Sequence, residues 1–520
     1  MLLLIFLLGA RLAIRYIKES SYFKNTIKSG KRILIVGAGS AGEGLARDML
    51  RNASYYYYPV AFVDDRQRKH GQEIHGIRIL GGCQDIPEIV KTKNIEKIVF
   101  AIPSANSETL KRIFEICKVT NIPISTLPSL KELVSHNIAA KQLRKFSLED
   151  LLGRDPISLD WQLIGNAIQD KVVLVTGAGG SIGSEVCRQI IKNSPKELIA
   201  LDMSEFNLFS LEQELISIHT HAQTKISVYL IDVRDSIALE RIIFMCKPDI
   251  VFHAAAYKHV PLLEHQCREA IYNNVIGTYN LAKVAISNKV QKVILVSTDK
   301  AVNPTNIMGA SKRIAEIICQ NLNYSTDITK FITVRFGNVL GSAGSVVPIF
   351  QEQIKNGGPV KVTHPEITRF FMTIPEAAQL ILQAFVLGNG GEIYVLDMGT
   401  PIKIRYLAEK MIELSGKEVN KDIEIQYTGL RPGEKLFEEL FHEQEALEAT
   451  THTKILRAGI RRYNIHELIK TIERMKECCI VYNTEELLEH VKYLVPELSP
   501  PSIINDFNPV EYRPLTKEEL

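Results

Sequence analysis

A hydroxyl, a carboxylate and an amine stand side by side at Thr298-Asp299-Lys300, directly after the apolar run Lys292-Val-Ile-Leu-Val-Ser297. A carboxyl group can give a proton and an amine can take one, so the triplet is equipped for acid–base work on a bound molecule. The run before it reads as a strand, and open α/β sheets hold ligands at the carboxyl ends of their strands. Shortly afterwards Met308-Gly-Ala-Ser-Lys312 places a thioether four residues before a second amine.

Upstream, Val172-Val-Leu-Val-Thr runs into Gly177, Gly180, Ser181, Ile182 and Gly183, and a helical pattern follows at Val186, Ile190 and Ile191. A lone Gly-x-Gly-x-x-Gly is a weak signal. Here a strand precedes it, a helix follows it, and Asp202 closes the next strand about 25 residues on, the spacing of a carboxylate on an adenosine ribose. The glycines let the backbone approach a pyrophosphate at a helix N-terminus. A carboxylate at Asp202 accepts from both ribose hydroxyls and repels a 2′-phosphate, so NAD is expected rather than NADP. Asp232-Val233 ends the third strand, where an adenine edge can be read.

These groups need a parallel sheet to position them. Glu197–Asp202, Ser227–Asp232, Ile250–His253, Lys292–Ser297 and Phe331–Phe336 read as its further strands. An earlier segment repeats the pattern: Ile33-Leu-Ile-Val runs into Gly37, Gly39 and Gly42, then a helical pattern at Leu45, Met49 and Leu50. Pro59 to Asp65 and Ile95 to Ile102 read as strands, with a crossover helix from Leu110 to Cys117. The expected fold is therefore α/β, with two successive Rossmann-like doubly wound parallel-sheet domains. The first spans 29–135, a linker 136–168 and the catalytic domain 169–465. A helical segment and Pro-rich tail fill 466–520. For the first domain, a working nucleotide site at Gly37, Gly39, Gly42, Asp64 and Asp65 and a vestigial or regulatory domain both stay open.

The 520 residues exceed one ordinary core. With 46% hydrophobic and 23% charged residues, the chain is globular in composition, neither disordered nor fibrous. A net charge of +3 excludes a general nucleic-acid-binding field, so acidic ligands must meet locally placed cations. The eight cysteines show neither Cys-x-x-Cys nor zinc-type spacing; reduced core thiols and no metal are expected. Residues 1–28 open with the apolar stretch Met1–Ala10, then Arg11, Arg15, Lys18, Lys24 and Lys28. The apolar run is too short to span a bilayer, and its charges follow it, the reverse of a signal peptide. It reads as the last half of a transmembrane helix entering a basic cytoplasmic segment. A buried N-terminal helix is the other reading.

At this point the sequence resembles the extended short-chain dehydrogenase/reductase superfamily, and within it the large bacterial nucleotide-sugar 4,6-dehydratases of polysaccharide biosynthesis. The resemblance covers nearly the whole chain. Its carriers are Phe252-His-Ala-Ala-Ala-Tyr-Lys-His-Val-Pro261, Asn273-Asn-Val-Ile-Gly-Thr278, Arg335-Phe-Gly-Asn-Val-Leu-Gly341, Thr368-Arg-Phe-Phe-Met-Thr-Ile-Pro375 and Arg431-Pro-Gly-Glu-Lys435. It implies a smaller substrate-binding lobe and a redox-neutral dehydration. Hydride leaves sugar C4 for NAD+, a base takes the C5 proton, an acid helps expel the C6 hydroxyl, and the hydride returns to C6. It implies Asp299 as the acid, Lys300 as a base whose pKa must be depressed, Thr298 on the C4 hydroxyl and Lys312 on the nicotinamide ribose. Arg431, Glu434, Lys435, Asn338 and Arg369 are implied for the nucleotide diphosphate and uridine; Lys258 and His259, which follow a strand end, read as cleft lining with no role fixed by spacing. His253 reads as a packed core histidine.

The chain departs from the superfamily at Met308, where Tyr-x-x-x-Lys places a tyrosine. A methionine-bearing branch acts on UDP-N-acetylglucosamine with retention at C5, which is the expected activity. The implied partners are a UDP-sugar and a second copy of the chain, at the cytoplasmic face of the cell membrane. The rivals are a C5-inverting dehydratase, a nucleotide-sugar C4 epimerase, and a nucleotide-sugar-binding regulator in which Met308 marks lost activity. The intact Thr298-Asp299-Lys300 argues against the last.

Overall fold

The computed structural model describes residues 30–52, 56–127, 140–151, 159–218, 224–442, 447–459 and 462–498. The apolar N-terminal stretch, the turn around Gly153 and the Pro-rich tail lie outside the described residues. Contacts divide the chain into two compact units, Met1–Asp155 with Glu413–Gly416, and Pro156–Ile412 with Lys417–Leu520.

In the first unit the described strands form one sheet in the order Glu73–Ile74, Ile77–Gly81, Tyr57–Val63, Lys31–Val36, Lys97–Phe100, Ile124–Thr126, Arg144–Lys145. The middle five are parallel, and the two outermost pairings are antiparallel. Ile33, Leu34 and Ile35 are all fully buried, because one face of this strand packs with Leu34 and Val36 and the other with Ile33 and Ile35. A strand covered on both faces reads as an unbroken apolar run, which is how it stood out in the sequence. The expected linker is taken up at both ends. Arg144–Lys145 joins the first sheet, and the helix Trp161–Ile168 packs Ile164 and Ile168 into the second unit.

Nine described strands make the main sheet of the second unit, in the order Lys225–Leu230, Glu197–Asp202, Val172–Thr176, Ile250–His253, Lys292–Val296, Lys330–Arg335, Ile393–Leu396, Ile455–Ala458, Glu448–Ala449. The first seven are parallel and the last two antiparallel. The connection order reverses between Val172–Thr176 and Ile250–His253, the switch point where such sheets open a crevice. A lobe beside the sheet is built from short strand pairs: Asn338–Val339 with Phe371–Met372, Val360–Val362 with Ile425–Tyr427, and Thr368–Arg369 with Ile402–Lys403.

The helices Ile465–Val481 and Thr484–Leu494 do not stand apart. Leu468, Ile472, Met475, Leu487, Val491 and Leu494 enter the same apolar cluster as Leu174, Val251 and Leu295 from the sheet. At about 1.5–3 kcal/mol per large buried aliphatic side chain, this packing makes them part of the second unit's core. All eight cysteines are free thiols, and all but Cys246 are buried. No helix among the described residues is long and apolar enough to cross a membrane.

Candidate active site

A cavity of about 980 Å³ opens at the switch point. That is the upper end of the range for small-molecule sites. Gly177, Gly180, Ser181, Ile182 and Gly183 line one end, Thr298, Lys300, Met308 and Lys312 the middle, and Asn338, Arg369, Arg431 and Glu434 the other end. Lys258 and His259 also line it.

The glycine end fits a dinucleotide. Gly177 turns the chain at φ +64°, a region that favours glycine. The helix Ser181–Ile191 is preceded by Gly180, which places no side chain on its first N–H groups. Those groups remain available to a pyrophosphate. Asp202 is held in place by accepting from Gly179 N and Ser204 N, each at 2.8 Å. One bond to each oxygen leaves lone pairs for ribose hydroxyls.

Asp232 and Val233 lie just past the strand Lys225–Leu230. Arg234 forks onto both oxygens of Asp232, with Nη2–Oδ2 at 2.6 Å, and Val233 is buried. Neither lines the cavity, and nor does Asp202.

The acid–base segment is a short turn, Asp299–Ala301, after the strand Lys292–Val296. The helix Ile307–Asn323 starts against it: a Cβ at Gly309 would fall 2.2 Å from the Lys300 carbonyl oxygen. Only glycine permits that approach, which brings Met308 and Lys312 to the same cavity wall as Lys300. Thr298 Oγ1 donates to Asp299 Oδ1 at 2.9 Å, and Lys300 Nζ donates to Asp299 Oδ1 at 3.0 Å and Asn338 Oδ1 at 3.1 Å.

Three expectations need correction. Lys300 was expected to be neutral, with a depressed pKa. Burial does push it down, but Asp299 and Glu438 outweigh burial and hold it above its ordinary value, so the resting side chain is an ammonium. Asp299 is buried behind the wall rather than on it; its Oδ2 lies beside Gly337 and has no hydrogen-bond partner. Lys435 is turned out of the cavity, donating to Val302 O at 3.2 Å and pairing with Glu439 at 3.3 Å. It ties two loops together instead of facing a ligand.

The other basic groups behave as burial dictates. Lys312 is pushed down to about 8, and Lys258 and His259 also lie below their ordinary values. His253 bonds Thr176 at 2.7 Å and Thr278 at 2.9 Å, and burial pushes it down to about 3. It is a neutral core histidine.

Sequence reasoning missed Glu438. Its side chain is 3% exposed, and its Oε1 lies 3.4 Å from Lys300 Nζ and 3.5 Å from Arg369 Nε. Glu438 follows the Arg431–Lys435 block in an irregular segment, and nothing in its spacing points at Lys300.

Two other clusters are less suited to ligands. In the first unit Gly37 turns at φ +103°, but Asp64 accepts from Ala38 N at 2.9 Å and from Arg66 at 2.8 Å on each oxygen, and pairs with Lys69. Arg66 and its other partners hold that carboxyl well below the usual range. The oxygens that would take a ribose are already occupied. In the second unit Cys478, Glu486 and His490 bring ligand atoms within 4.8 Å of one another. Arg474 is seated on Glu486, with Nη2–Oε2 at 3.0 Å, and opposes a cation there.

Residues 173–459 match the family described as polysaccharide biosynthesis protein. The chain belongs to that family. Residues 1–128 match a second family, described as CoA-binding domain. Among relatives of the polysaccharide biosynthesis protein family, the chain is similar to the capsular polysaccharide biosynthesis protein CapD of Staphylococcus aureus, at 46% identity over 456 residues, covering 88% of this chain and 76% of that protein. It is also similar to a UDP-glucose 4-epimerase of Rickettsia rickettsii, at 36% identity over 337 residues, covering 63% of this chain and 95% of that protein. The X-ray structure of Pen from Bacillus thuringiensis superposes with a TM-score of 0.52 at 35% identity, covering 56% of this chain and 88% of that one.

Proposed function

We propose that this family member is an enzyme of nucleotide-linked sugars, and specifically a C5-retaining UDP-N-acetylglucosamine 4,6-dehydratase that works with NAD+ at the cytoplasmic face of the membrane. The observation that carries the reading is the single cavity that collects the dinucleotide turn, Thr298, Lys300, Met308 and Lys312. Gly177, Gly180, Gly183, Asp202 and Lys312 would hold NAD+, which supplies hydride acceptance from C4 and hydride return to C6.

The chain's own groups do the rest. Arg369 and Arg431 neutralise the diphosphate, and Glu434, bonded to Thr363 and Arg369, faces the uridine ribose. Thr298 orients the C4 hydroxyl. The resting pair is Lys300 ammonium and Asp299 carboxylate, 3.0 Å apart. Moving one proton from Nζ to Oδ1 creates, in a single step, a neutral amine to take the C5 proton and a buried carboxylic acid whose proton reaches the departing C6 hydroxyl through Thr298 Oγ1, its hydrogen-bond partner on the cavity wall. No proton need come from solvent. Met308 offers no proton acceptor beside C4, so the demand falls on this pair and on Lys312, whose depressed pKa allows a neutral amine.

Incubation of the full chain with UDP-N-acetylglucosamine and NAD+, read by mass spectrometry for loss of water and by proton NMR for sugar configuration, tests the reading. A product lighter by one water supports it. An unchanged mass with a shifted sugar configuration would replace it with C4 epimerisation, the second reading, which the similarity to a UDP-glucose 4-epimerase favours.

A further inference from the structure

The loop that follows Arg431 is fastened to the acid–base segment at several points. Gly433 O accepts from Asn306 Nδ2 at 3.0 Å and Thr305 Oγ1 at 3.2 Å, Lys435 reaches Val302 O, and Asn303 Nδ2 donates to Glu439 at 2.9 Å. This fastening delivers Glu438 into the protein interior beside Lys300. A buried carboxylate costs free energy unless it is paired, and Glu438 has two cationic neighbours, Lys300 and Arg369, both on its Oε1. Its Oε2 is buried with no hydrogen-bond partner.

We propose that Glu438 is a positioning residue that sets the charge of Lys300: it keeps the amine protonated and aimed at Asp299 and Asn338 until substrate arrives. The proposal rests on the dehydratase reading for its use in turnover, but the charge coupling stands or falls separately. The groups facing Lys300 are Asp299 and Glu438, which hold its proton, and Arg369, which opposes it. Lys312 lines the same cavity. Glu438 thus offsets Arg369, and without it two cations would face each other across the base of the site.

The test is Glu438→Gln, which keeps the shape and removes the charge. An opposite charge at this range moves a pKa by roughly one to three. Lys300 in the variant should therefore be acetylated by acetic anhydride about 10- to 1000-fold faster at pH 8 than in the unaltered chain, read at its own peptide by mass spectrometry. In turnover, the alkaline limb of kcat/KM should move to lower pH by about the same interval. Glu438→Asp, which restores the charge, should bring both readouts back towards the unaltered chain.

Unchanged Lys300 labelling in Glu438→Gln would overturn the proposal, as would an Asp variant that labels like the Gln variant. If Glu438→Gln does not fold by thermal melting, Arg369→Gln serves instead. Removing the opposing cation should slow labelling of Lys300, and faster or equal labelling would overturn the proposal. Labelling that shifts as expected in a chain that turns over no UDP-sugar would sink the dehydratase reading and leave the role of Glu438 intact.

Discussion

Replacing Glu316 by Gln should cost the second unit a large part of its stability. The Glu316 carboxylate is fully buried and accepts from Arg335 Nε at 2.8 Å and Nη2 at 2.7 Å, from Ser297 Oγ at 2.6 Å and from Arg313 Nη1 at 3.1 Å. Ser297 leads directly into Thr298-Asp299-Lys300, and Arg335 leads into Phe336-Gly337-Asn338, so this carboxylate ties together the two strand ends that carry the site. Glutamine fills the same volume but removes the charge that Arg335 and Arg313 share, although Arg313 keeps Glu497 at 3.5 Å. Breaking one buried ion pair costs about 3–5 kcal/mol, against a typical total stability of about 5–15 kcal/mol.

The assay is urea unfolding followed by the fluorescence of Trp161, the single tryptophan, which lies in the second unit. One local probe avoids merging the transitions of two units. The pH dependence adds a second arm. Burial alone would raise the Glu316 pKa, but Arg335 and Arg313 hold it below its ordinary value. Its contribution is therefore present above the unfolded carboxylate pKa of about 4.3 and is lost as pH falls through the folded value. The gap between the unaltered chain and the variant should narrow below about pH 4. A loss under about 0.5 kcal/mol at pH 7, the size of a neutral surface change, would refute the reasoning.

Three further outcomes are expected. In Gly183→Ala the new Cβ would lie 2.1 Å from the Gly177 carbonyl oxygen; the helix start must shift, and calorimetric titration should show NAD+ affinity falling at least about tenfold, with about 1–3 kcal/mol lost from overpacking. Asp299→Asn should lower dehydration by about 10²- to 10⁴-fold while UDP-sugar affinity, measured by calorimetry, changes little. Lys312 has a folded pKa of about 8 against an ordinary 10.5. Its burial penalty is thus present below pH 8 and relieved as pH rises towards 10.5. Unfolding curves should show the stability advantage of Lys312→Met shrinking over that window by on the order of 3 kcal/mol.

Much of this was readable from residues alone, for physical reasons. Strands buried on both faces must be apolar throughout, so Ile33–Val36 and Val172–Val175 announced themselves, and the glycines after them marked the turns. Thr298, Lys300, Met308 and Lys312 share a wall because a strand end and a helix start must meet at the switch point. What stayed hidden depends on contacts between segments distant in sequence. Glu438 reaches Lys300 only because the loop after Arg431 docks on residues 302–306. The same docking spends Lys435 on Val302. The Arg234 guanidinium on Asp232 was hidden as well, since a charge pair leaves no mark in strand periodicity. The charge on Lys300 was likewise misjudged, since burial and carboxylates pull in opposite directions and only distances decide between them.

Proton NMR of UDP-N-acetylglucosamine with the full chain and NAD+ in deuterated water tests the central claim most directly. The expected result is a growing C6 methyl signal, deuterium at C5, a 4-keto product and a C5 coupling that reports retained configuration. A folded chain that binds UDP yet leaves the spectrum of this sugar and its UDP-linked relatives unchanged would contradict it.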